Sequence, residues 1–300
     1  MWGVARLAMR GPLTATFAVA GFALLALIFA PLLMVSGGLL GLVTLRRGLL
    51  EGLRITVFAG ALTGGVLMLL NGRLGAAAAA IFAAWLPIIG ASQTLRRTGQ
   101  QGLAFVNIGI CVAAYAALMR VANPDVDGFW RERLARLGDL VKAQGGRFLN
   151  ENEVALIGGM MHEVSVALLC ITLIGMLLMA RWWQSGLYNP GGFRTEFQAL
   201  ALPRWSAWVT AAAALVSVLL ASRGGAGVAG DLTIVLVILF SLQGLAIVHA
   251  VCAAKALAGG WLIGLYVLLG IVPQIALPLL AAVGIADGVG DFRARVKPRP

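Results

Sequence analysis

The sequence predicts an all-α fold: a polytopic transmembrane helical bundle of about eight to ten spans, with an amphipathic helix on its outer side. Three observations predict it. The 300 residues are 60% hydrophobic and only 12% charged, with a mean hydropathy of +0.93, whereas a soluble domain carries about 25% charged residues. Apolar runs near the ~20 residues that cross a bilayer recur along the chain. The formal net charge is +11, and the basic residues gather in short segments between those runs, as they do where Lys and Arg stay on the cytoplasmic side. No stretch is long and polar enough for a second, soluble domain, so residues 1–300 read as one integral membrane domain.

Taken in order, Arg6 and Arg10 precede an apolar run from Leu13 to Val35. That run is too long for the core of a removable signal and reads as a retained membrane segment. Unbroken runs follow at 55–71, 75–92, 103–121, 154–180, 205–222 and 232–253. Two longer blocks, 13–45 and 257–286, are interrupted. The first carries Pro31 and Ser36-Gly37-Gly38, the second Gly270, Pro273 and Pro278. Each is either one kinked helix or a hairpin of two short spans. Charge favours hairpins, with ten spans and both termini inside. Fifteen of the 23 basic residues and four of the 12 acids then fall on one side. The whole excess sits on that face and the other is neutral. A single helix in either block would move a terminus across and weaken the asymmetry. The excess orients the chain against anionic lipid. It is no nucleic-acid patch, because no basic stripe lies on a soluble face.

The outer loop, 122–153, opens with the turn signal Asn123-Pro124-Asp125. Apolar residues then recur at Phe129, Trp130, Leu134, Leu137, Leu140 and Val141. That spacing makes a helix with one apolar face, lying on the membrane, capping the bundle or serving as a lid. The loop 181–204 falls on the positive side. Trp182 and Trp183 suit the headgroup layer, Asn189-Pro190-Gly191-Gly192 is a turn, and Phe193, Phe197 and Leu200 repeat at helical spacing. This reads as a cytoplasmic loop holding a short interfacial helix. A basic cytoplasmic tail, 287–300, closes the chain.

The segments RWWQ at 181–184 and YNPGGFRTEF at 188–197 resemble the YybS-like family of predicted bacterial membrane proteins. GLVTLRRGLLEGL at 41–53 and GIADGVGDFRAR at 284–295 agree. No activity is established for that family, whose fold is distantly similar to the substrate-binding subunits of energy-coupling-factor vitamin transporters. The resemblance implies a multi-pass protein of the bacterial inner membrane that holds a small molecule beneath outer loops. Those subunits dock on their partner through an Ala-x-x-x-Ala face. Ala26 and Ala30 match it here, but so do Ala76 with Ala80 and Ala113 with Ala117, so the spacing carries little weight.

Ionisable groups at membrane depth are costly, and functional by default. His162 and Glu163, in the first third of the 154–180 run, combine with Asn107 into a substrate-binding site near the outer leaflet. Glu163 would neutralise a cation or carry a proton. The alternative is a span that starts near Val164 and leaves the pair among headgroups. His249 reads as an interfacial or packed histidine. Gln243 and Gln274 read as interhelical hydrogen-bonding groups, and Gly60-x-x-x-Gly64 as a close helix contact. Cys111, Cys170 and Cys252 lie singly in apolar runs, which fits neither disulfides nor metal ligands. There is no Gly-Lys-Ser/Thr phosphate loop, no HExxH and no GxSxG. The chain therefore reads as no enzyme, with no cofactor and no metal, and ATP-driven work would need another chain. An intramembrane enzyme is the weakest of three readings, for want of catalytic groups, and two functions stand ahead of it. One is a small-molecule-binding or transport component. The other is a non-transporting scaffold that docks a protein partner through Trp182, Trp183, Asn189, Pro190, Phe193, Phe197 and the tail. Both live in a lipid bilayer.

Overall fold

Helices account for every regular element among the described residues. They are α1 (Trp2–Arg10), α2 (Pro12–Leu25), α3 (Leu32–Arg47), α4 (Leu49–Asn71), α5 (Leu74–Thr98), α6 (Gln101–Ala122), α7 (Val126–Ala143), α8 (Glu151–Tyr188), α9 (Gly192–Gln198), α10 (Arg204–Ala221), α11 (Gly227–Ala254), α12 (Gly260–Ile271) and α13 (Pro273–Gly290). The structure, a computed structural model, describes residues 2–71, 74–222, 225 and 227–290, with only the helical backbone given at 70, 71, 74–80 and 82. Most of the expected basic tail, and the side chains of Ala76 and Ala80, lie outside the described residues. Among those described, α4, α6, α8, α10, α11 and α13 are long and apolar enough to cross a membrane. The chain is an integral, multi-pass membrane protein.

Polar residues locate the two faces of the bundle. At one end Arg120, Glu163 and Asp231 form ion pairs. At the other, Glu196 takes hydrogen bonds from Arg181 and, at 3.3 Å, from Gln101. Glu163 and Arg181 both lie on α8, 18 residues apart in number. At 1.5 Å per residue that is about 27 Å, close to the ~30 Å of a bilayer's hydrocarbon core. Arg46, Arg47, Arg96, Arg97, Arg194 and Arg204 fall near the Arg181 face; Arg131, Arg133 and Arg136 fall beyond the Arg120 face.

The block 13–45 is a hairpin of α2 and α3 joined by a turn at 26–31. Ser36 Oγ donates to the Val19 carbonyl across it at 2.8 Å. The interruption expected at Ser36-Gly37-Gly38 is no break. Those glycines lie inside α3, where Gly37 meets Met176, Gly38 meets Trp183 and Gly41 meets Ala180 on α8. They let two helix backbones approach closely. The arms have 14 and 16 residues, about 21–24 Å. Met34 packs on Gly175, twelve residues below Glu163, so the turn ends short of the Arg120 face. Its backbone is closed by local bonds, including Ile28 N to Leu25 O at 3.0 Å and Leu32 N to Phe29 O at 3.0 Å. Hydrocarbon demands such closure, and Ile28 and Phe29 at the tip are exposed.

The block 257–286 is broken at Val272, between α12 and α13. Gly264 and Leu268 on α12 and Val283 on α13 line one cleft with Ile247 and Val251 of α11. The two arms therefore face each other across open space. α12 buries none of its residues. α13 lies instead on α11, where Gly244 meets the Leu280 backbone and Gly284 the Phe240 backbone. Gln243, fully buried, ties three segments together. Its Oε1 accepts from Leu202 N at 2.8 Å and its Nε2 donates to Gly284 O at 2.9 Å. Gln274, expected in a similar role, is exposed. Gly60 is buried, but neighbouring Gly65 faces open space.

Before the first hairpin, α1 lies on the Arg181 face. Trp2 packs on Trp182 with ring centroids 4.6 Å apart, and Arg47 donates to Met9 O at 2.7 Å. The core beneath it contains one buried hydroxyl with a double role. Ser36 Oγ also accepts from Trp85 Nε1 at 3.1 Å. Ser36→Ala leaves the buried indole N–H and the Val19 carbonyl each without this partner. It is expected to lower unfolding free energy by about 1–3 kcal/mol. Equilibrium unfolding in detergent measures this, and a loss below about 0.5 kcal/mol would contradict it.

Candidate functional site

α6 and α11 each carry one charged residue: Arg120 near the end of α6 and Asp231 in the first turns of α11. The two helices pack together, Gly109 of α6 admitting Leu239 and Val235. That register brings the charges together at the Arg120 face. Arg120 Nε and Nη2 donate to the two carboxylate oxygens of Asp231 at 2.5 and 2.9 Å. Asp231 is 1% exposed. A forked guanidinium matches a carboxylate in this geometry.

α8 adds the next two residues. A capping box between Asn150 and Glu153 starts it, so His162-Glu163 lies well inside a helix. Adjacent helical residues point about 100° apart, and these two separate accordingly. His162 turns into the core, fully buried, with Nε2 3.2 Å from Asp231 Oδ2. Facing a carboxylate, that nitrogen is the donor. His162 Nδ1 is buried without a partner among the described residues. Glu163 turns toward Arg120, with Oε1 3.6 Å from its Nη2, and keeps 43% of its side chain exposed.

A cavity of about 470 Å³ opens over this cluster. Its walls include Arg120, Glu163 and Asp231, Pro124 to Asp127 at the start of α7, and Ser217 and Thr233 from α10 and α11. Asp125 caps α7 by accepting from Gly128 N at 2.8 Å. Among the described lining residues four carboxylates meet one guanidinium, which is already bound to Asp231. Of α7, only the first two residues, Val126 and Asp127, reach the cavity. Its body leans on the first turns of α8, Arg131 against Gly158, with Leu137 and Leu140 exposed.

The structure brings His162 and Glu163 into one cluster and leaves Asn107 out of it. Asn107 sits 13 residues below Arg120 on the same helix, about 20 Å along the axis, with its Oδ1 packed over Gly90 of α5. The cluster's centre, Asp231, stands one residue before the apolar run 232–253 and so does not show as a charge within a span. A lone acid at one end of a span and a lone base at the matching end of another, antiparallel span is the signal that finds it.

The aromatic loop is built into the bundle. Trp183 is 1% exposed and packs on Gly38. Trp182 packs at a tilt against Trp2. Ser185 Oγ donates to Asn189 O at 2.7 Å and accepts from Phe193 N at 2.9 Å, closing the turn through Pro190. Phe193 stacks on Phe197, whose ring meets His249. His249 Nε2 lies 2.8 Å from Tyr266 Oη. A scaffold role would have to use the exposed rims of this segment, because Trp183 belongs to the core.

Compared with protein families, characterised proteins and solved structures, the chain matches none.

Proposed function

We propose that this protein binds a small, positively charged solute in the cavity at its Arg120 face, as the binding or transport component of an inner-membrane system. One observation carries the reading: a buried Asp231, held by Arg120 and backed by His162, lies at the wall of an open, carboxylate-lined cavity. A buried ion pair is a poor stabiliser compared with apolar residues of the same size, and ionisable groups at membrane depth serve function by default. With Arg120 held most tightly by Asp231, Glu163 keeps only a long 3.6 Å contact to it, which leaves its carboxylate and that of Asp127 able to meet a cation. The resemblance to the YybS-like family supports the same reading, and with it a cytoplasmic Arg181 face. Native mass spectrometry of the gently purified protein, wild type and Glu163→Ala, tests it. A small cation retained by the wild type and lost from the variant is the expected result. A wild type that carries lipid alone, and whose thermal stability no amine or cationic solute changes, would overturn it.

A further inference from the structure

A second cavity, of about 700 Å³, lies at the opposite face between α8, α9, α11 and α12. Its ends differ in chemistry. Arg194, Gln198, His249 and Tyr266 line the end beside the interfacial helix α9. Leu242 and Leu245 line the end toward the bilayer centre. Arg194 is exposed, and no carboxylate lies within ion-pair distance of it among the described residues. The outer wall is α12, which buries nothing and is tied to α11 by the His249–Tyr266 hydrogen bond. Cys252 and Leu257 also line the apolar cleft on the other side of α12, of about 850 Å³. Lipid therefore has access to α12 from both sides.

We infer that this cavity holds one anionic phospholipid, its phosphate at Arg194 and an acyl chain along Leu242 and Leu245. The match is in charge and in depth. An unpaired guanidinium at headgroup level binds a phosphate through forked hydrogen bonds. An aliphatic wall running inward from it suits a chain and repels a soluble anion. Tyr266 and His249 mark the boundary between head and chain, where half-polar rings belong. The occupant also fills the space between α12 and the bundle, so α12 docks through lipid.

The test is competitive. Delipidated protein in detergent is offered equal amounts of phosphatidylglycerol and phosphatidylcholine with identical chains, and bound lipid is counted by native mass spectrometry. The wild type is expected to prefer the anionic lipid by about fivefold or more, the contribution of one basic residue at a membrane surface. Arg194→Glu should abolish that preference, while Arg97→Glu, an exposed arginine on the same face outside the cavity, should retain it. Leu245→Trp, which fills the chain end, should lower the retention of both lipids. Equal loss in the two arginine variants would assign the preference to the general field of the face and overturn the site. So would equal binding of the two lipids by the wild type, or stabilisation by inorganic phosphate equal to that by the lipid.

Discussion

Asp231→Ala is expected to lower the unfolding free energy by about 3–5 kcal/mol, well beyond the cost of removing Glu163 at the same face. The reason is asymmetric. Arg120, 23% exposed, keeps its charge and loses both strong acceptors. His162 Nε2, fully buried, loses its acceptor as well. Removing both charges is gentler, because no uncompensated guanidinium remains: Arg120→Leu with Asp231→Leu should recover at least half of the loss. Glu163→Ala should cost no more than about 1 kcal/mol, since that pair is half exposed and 3.6 Å long. Equilibrium unfolding of the four proteins in one detergent measures all of this. Equal destabilisation by Asp231→Ala and Glu163→Ala would show that burial does not set the energetics of the cluster. The small cost at Glu163 also makes it the right residue for the ligand test, because lost binding there cannot be blamed on lost structure.

Gly244→Leu is expected to release α13 from α11. A Cβ at Gly244 would collide with the Leu280 carbonyl oxygen, and one at Gly284 with that of Phe240. Overpacking against yielding side chains costs about 1–3 kcal/mol. Here the obstacle is backbone on both sides, so the helices must separate. Separation also breaks Gln243 Nε2 to Gly284 O and Ser241 Oγ to Leu277 O, at 2.9 and 2.7 Å. A loss above about 3 kcal/mol follows. It would appear as faster proteolysis of the 255–290 region than in the wild type. Gly264→Leu on α12 is the control, since a Cβ there meets nothing. If the control proved as damaging as Gly244→Leu, the close crossing would not be what holds α13.

Hydrophobicity and charge made the architecture readable in advance. Runs of sufficient length marked α4, α6, α8, α10 and α11, and the turn at Asn189-Pro190 appears where expected. Breaks inside the long blocks were harder to place. Glycine weakens an isolated helix but also lets two helices touch, and only a neighbour decides between these roles. Met176 and Trp183 decide it for Gly37 and Gly38. Tryptophan is ambiguous in the same way: Trp182 and Trp183 look alike in sequence, yet only Trp183 is buried. The candidate site was half legible. His162 and Glu163 stood out as ionisable residues near a span's end. Arg120 and Asp231 lie 111 residues apart in sequence, and only the packing of α6 on α11 unites them.

The first hairpin gives the molecule unequal cross-sections in the two leaflets. Near the Arg181 face, ten helix sections cross the plane, from α2 to α6, α8 and α10 to α13. Near the Arg120 face, beyond the tip of the first hairpin, α2 and α3 are missing from the section. Each helix with its side chains is about 10–12 Å across. The difference makes a wedge, broad at the Arg181 face and narrow at the other. Lipids of the narrow leaflet must fill the space over the tip of α2 and α3, and a flat bilayer accommodates that only by spreading them. A membrane that curves away around the broad end relieves the mismatch, so bilayer curvature is itself a variable that this protein feels.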